Sequence, residues 1–135
     1  MMGLFVAEKW TAVNQHFAEK LKALPRDPET VAYVVGVLGK RKWEGDDLSQ
    51  DSILLAYVDA NEKGDFAGFQ RIGDWVLFAD IMVPAHFTGV REFVENVGRL
   101  SYYRCFRLMG GKWRVYEELA DDFPRLVTQV RQALV

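Results

Sequence analysis

A single cysteine, Cys105, in 135 residues excludes an internal disulfide framework and any cysteine-rich zinc site. There are two histidines, His16 and His86, 70 positions apart. Neither has a glutamate three positions before it, which excludes the Glu-x-x-His helices of a carboxylate-bridged di-iron bundle. HExxH, EF-hand, GxSxG and Walker A spacings are all missing. The apolar runs near Val31–Leu38 and Trp75–Phe78 fall far short of the ~18 residues of a transmembrane helix. No basic region precedes an apolar run at the start, where Glu8 intervenes early, so no signal peptide and a cytoplasmic, bacterial-type protein are expected. A net charge of -2 gives no global pull toward nucleic acid or an anionic membrane.

The length fits one domain over 1–135, and 50% hydrophobic residues are enough for a core without staples. Charge is unevenly placed. Residues 44–80 hold nine acids against two bases, whereas 88–116 hold six bases against Glu92 and Glu95. The structural reading is that these segments pack and neutralise one another. The functional reading is a basic face for phosphate or an acidic partner.

Helical periodicity dominates. Val6, Trp10, Val13, Phe17, Leu21 and Leu24 form one stripe that Pro25 closes. Asp27-Pro28-Glu29 reads as a helix start, followed by VAYVVGVLG. After a polar connection at 39–48, Asp47 or Ser49 opens a helix carrying Ile53, Leu54, Tyr57 and Val58. Gly64-Asp65 ends that helix and starts another, over 65–83, whose apolar residues cover its whole circumference. Such a helix is central to a bundle or shared with a partner. Its Asp74 and Asp80 then need partners, because an unpaired buried carboxylate is costly.

Pro84 ends the central helix and Thr88 caps the next, over 88–109. The face read as apolar there holds Val90, Phe93, Val94, Val97, Leu100, Cys105 and Leu108, with Ser101 as a small member, Arg104 inside it and Tyr102, Tyr103 and Phe106 opposite. Gly110-Gly111 terminates this helix. The segment 112–135 is helical, kinked or restarted at Pro124. The expected fold is an all-α compact bundle of five or six helices around 65–83. The alternative is α+β, with a hairpin at 101–118 turning on Gly110-Gly111.

The stretch Ile72-Gly73-Asp74-Trp75-Val76-Leu77-Phe78 resembles the Leu/Ile-Gly-Asp-x-x-Leu-Phe motif of a family of small all-helical bacterial proteins. Gly98-Arg99-Leu100-Ser101-Tyr102-Tyr103, Tyr116-Glu117-Glu118-Leu119-Ala120 and Pro28-Glu29-Thr30-Val31-Ala32-Tyr33 are similar to its other helices. The chain departs from the pattern after Phe78, at Ala79-Asp80-Ile81. The resemblance implies an all-helical fold and brings no activity with it.

Few residues are placed for chemistry. Glu44-Gly45-Asp46-Asp47 with Asp51 reads as a solvated helix start rather than a cation site, and Cys105 as a small core residue without an activating base. No metal and no cofactor is called for. Arg104 with Asp74 or Asp80 is the most specific pairing: each is costly alone and tolerable together. Its functional counterpart is a pocket for a small acidic ligand, lined by Arg71, Asp74, Trp75, Tyr103, Arg104 and Arg107. Arg99–Arg114 interleaves aromatics with five basic residues, a mixture that stacks single-stranded nucleic acid, against the negative total charge. With catalytic motifs missing and apolar helix surface in excess around 66–83 and 102–106, the leading expectation is an interaction or accessory factor, with the balance leaning away from an enzyme. It would bind a protein partner or self-associate as a homodimer, with no membrane role. A ligand-binding helical protein or enzyme using the Asp/Arg/Tyr cluster comes second, and nucleic-acid binding through 99–114 third.

Overall fold

Helices account for the architecture of the computed structural model, which describes residues 14–40 and 50–135. In chain order they are α1 (14–21), α2 (Pro28–Leu38), α3 (Gln50–Lys63), α4 (Phe66–Met82), a 3-10 turn (Pro84–Phe87), α5 (Arg91–Leu108), α6 (Arg114–Asp121) and α7 (Phe123–Leu134). There is no strand among the described residues, so the bundle is all-α and the hairpin alternative is overturned. Ser101–Leu108 completes α5, Gly110 and Gly111 turn the chain at φ +67 and +75, and Arg114 opens α6. Of the two outcomes expected at Pro124, the structure takes the restart: Pro124 lies in the first turn of a new helix, which brings the described α-helices to seven.

α4 is the hub. Ten of its seventeen residues are buried, and α2, α3, α5, α7 and the 3-10 turn all pack on it. Its apolar surface is therefore covered over most of its length by its own chain, and the surplus expected at 66–83 narrows to Met82 and Val83, exposed at its C-terminal end. α4 and α5 run antiparallel: Phe69 meets Arg104, Gly73 meets Tyr102, Val76 meets Gly98, and Asp80 meets Arg91. Two glycines permit this close approach. A Cβ on Gly73 would lie 2.8 Å from the Tyr102 ring, and one on Gly98 would lie 2.8 Å from Val76.

The buried face of α5 is Val94, Val97, Gly98, Ser101, Tyr102 and Cys105. This rotates the expected face. Phe93, Leu100 and Leu108 are exposed, while Tyr102, placed on the opposite side, is fully buried. Thr88 does not cap α5 either: its hydroxyl donates to the Ala85 carbonyl at 2.8 Å, closing the 3-10 turn, and the N-cap falls at Val90. Asp27 and Asp65 occupy N-cap positions without a side-chain cap bond.

Phe17, Leu21 and Leu24 point into the core as their stripe requires, as do Leu119, Phe123, Leu126 and Val130. On α3, Ile53 is buried but Leu54 and Val58 are exposed. The expectations for Val6, Trp10, Val13, Glu44-Gly45-Asp46-Asp47 and Ser49 lie outside the described residues. Arg26, at 9% exposure, ties the start of α2 to the far end of the chain: Nη1 reaches Glu118 at 3.2 Å, Nη2 reaches Asp122 at 2.7 Å, and Nε donates to Gln129 at 2.8 Å. Thr30 adds a hydroxyl to Glu118 at 2.6 Å. No described helix is long and apolar enough to cross a membrane.

Candidate functional site

Asp74 is buried on α4, and its oxygens are occupied. The Tyr33 hydroxyl from α2 donates to Oδ1, as does the Tyr102 hydroxyl from α5 at 2.8 Å. Lys40 Nζ stands 3.4 Å from Oδ2 at the rim. The three tyrosines Tyr33, Tyr102 and Tyr116 pack edge-on or tilted at centroid distances of 5.5 to 6.1 Å, and Gln70 donates to the Tyr116 hydroxyl at 2.8 Å. Burial raises the Asp74 carboxyl above the usual range, against the two phenol donors and Lys40. Burial and the facing Asp74 push the Tyr33 and Tyr102 phenols well up, so both remain protonated donors. Cys105 Sγ lies 3.9 Å from the Phe66 carbonyl, and burial followed by Asp74 pushes its thiol up to about 12. A thiol held that high is no nucleophile at neutral pH.

The expected partner of these carboxylates, Arg104, pairs with neither. It lies opposite Phe69, its guanidinium 5.5 Å from the ring centroid and its buried Nε without a hydrogen bond. Five residues separate Phe69 from Asp74 along α4, about 7.5 Å at 1.5 Å per residue, so the antiparallel register keeps Arg104 away. Asp80, fully buried, instead has Arg91 Nε 3.1 Å from Oδ1, an ion pair off hydrogen-bond alignment. Glu95 closes on the same carboxylate. Burial, then the Asp80 contact, lifts the Glu95 carboxyl to about 7 against Arg91 and Arg99. Arg91–Asp80 is a direct link between the acidic and basic segments.

The remaining residues read as a ligand pocket are dispersed. Arg71 and Arg107 are exposed, and Trp75 is buried against His86 and Phe87 at 5.7 and 5.6 Å. Tyr103 is exposed on the outer face of α5, 200° around the helix from Cys105 and 100° from Tyr102. Of the aromatics read as base-stacking, Tyr102 is buried and Trp113 stacks on Tyr116 at 6.1 Å and 8°. Among the described residues, no three His, Cys, Asp or Glu side chains gather to hold a metal ion.

One open feature among the described residues is the outer face of α5. Phe93, Leu100 and Tyr103 are exposed at 37%, 50% and 45%, spaced seven and three residues apart on one side of the helix. Asn96 and Arg107 fall in the same stripe, completing a 3-4-3-4 spacing like that of a helix-pairing seam. Beside it lies a hollow of about 440 Å³ lined by Asn96, Arg99, Leu100, Tyr103, Ala120 and Asp121. Arg99 Nε donates to the Ala120 carbonyl at 2.8 Å, anchoring the end of α6 beside the hollow. The sequence signal for this face is the row of small residues Gly98 and Ser101, which marks the inner side and leaves Leu100 and Tyr103 outside. Compared with protein-family models, with curated proteins and with solved structures, the chain matches none.

Proposed function

We propose that this protein is a cytoplasmic interaction or accessory factor that works through the outer face of α5, without catalysis of its own. The observation that carries the reading is the exposed Phe93–Leu100–Tyr103 stripe with its hollow, on a helix whose other side is locked into the core. Exposed aromatic and aliphatic side chains beside a concave, partly polar site are the usual anchor of a protein interface. The Asp74 cluster serves the scaffold in this reading, because its carboxylate oxygens are held by Tyr33, Tyr102 and Lys40.

The test is a photo-cross-linking amino acid placed at position 100 in cells making the protein, with position 132, an exposed site on α7, as control. A protein adduct at 100 and none at 132 is expected. Absence of any adduct at 100, or equal labelling at both, overturns the reading.

A further inference from the structure

We infer that the partner of the α5 face is a second copy of the same chain, paired antiparallel about a two-fold axis beside Leu100; this rests on the reading of α5 as the interaction face. The stripe is balanced about that residue. Phe93 lies seven positions before Leu100 and Arg107 seven after, so that the three share one side of the helix over about 21 Å. The two ends differ in charge. Glu92, exposed, marks the N-terminal end, while Arg107, also exposed, marks the C-terminal end, with Arg104 one turn inside it.

Antiparallel pairing about Leu100 puts each end on its opposite. Phe93 and Glu92 of one copy meet Arg107 of the other, giving a guanidinium over a ring and a carboxylate beside it. By symmetry the contact forms twice, and Leu100 faces its own copy at the axis. The hollow formed with Ala120 and Asp121 lies next to that axis and receives the facing apolar side chain. A parallel pairing would instead align Glu92 with Glu92 and Arg107 with Arg107, two like-charge contacts.

The experiment is sedimentation equilibrium of the purified full chain across micromolar concentrations, with far-UV circular dichroism confirming that each surface variant folds. Wild type is expected to form a reversible dimer. Leu100→Glu, which sets two carboxylates against each other at the axis, weakens it at least about thirtyfold, whereas Leu55→Glu on the exposed face of α3 does not. Glu92→Arg and Arg107→Glu each weaken it about tenfold by making two like-charge pairs, and the double variant restores it to within about twofold. A monomer at every concentration, a dimer indifferent to Leu100→Glu, or a double variant no better than the singles overturns the inference. If the photo-cross-link at position 100 joins a different protein while the purified chain stays monomeric, self-pairing fails and α5 stands as an interface for that other protein. If position 100 yields no adduct, both fail.

Discussion

The ring of Tyr102 occupies the space where Gly73 has no side chain, and from there its hydroxyl reaches Asp74 at 2.8 Å. The Gly-Asp pair on α4 is thus one unit. Glycine admits the ring and aspartate receives its hydrogen bond.

Gly73→Ala is expected to destabilise the protein by about 1–3 kcal/mol in urea unfolding, because the new methyl overlaps the Tyr102 ring in a packed interior. In an open helix the same change would stabilise by about 1 kcal/mol, so the sign of the effect reports the contact.

Tyr102→Phe keeps the ring and removes one of the two phenol donors to Asp74. The expected cost is about 1–3 kcal/mol, read by thermal or urea unfolding, since the carboxylate is left with Tyr33 and the rim ammonium of Lys40. Asp74 was legible in the sequence as a carboxylate that needed partners, because α4 is apolar all round. Which partners was not legible. Arg104 and Tyr102 are two residues apart on α5 and so point 200° from each other, and only the antiparallel register with α4 selects Tyr102. The same rotation explains why Phe93 and Leu100 read as core: apolar character alone does not tell an inner stripe from an outer one when a helix carries both.

Arg104→Met is expected to change stability by less than about 1 kcal/mol. The loss of the guanidinium over Phe69 is offset by removal of a buried Nε that makes no hydrogen bond. Carboxyl titration followed by NMR should be unchanged at Asp74.

Arg26→Ala is expected to cost about 3 kcal/mol. It leaves Glu118 and Asp122 without the guanidinium that joins α2 to α6 and α7, with Thr30 the remaining donor to Glu118. The charge pattern of the sequence did not expose this tie, since Arg26 lies outside both the acidic and the basic segments and its partners are some ninety residues distant.

Glu95 contributes a pH dependence near neutrality. Its carboxyl sits at about 7 in the folded chain, above its ordinary value of 4.5, so folding holds its proton. That contribution is complete below about 4.5 and is lost as pH rises through about 7. Glu95→Gln, which cannot ionise beside Asp80, should therefore gain stability relative to wild type between pH 5 and pH 8, as read by melting temperature across that range.

Disulfide trapping at the α5 axis tests the central claim most directly. Leu100→Cys should form a disulfide-linked dimer rapidly under mild oxidation, because the two-fold pairing brings both sulfurs together, and native Cys105 is buried and protonated. Leu108→Cys, exposed on the same helix but off the stripe, should cross-link far more slowly. Equal rates at the two positions, or no cross-link at position 100, would contradict the account.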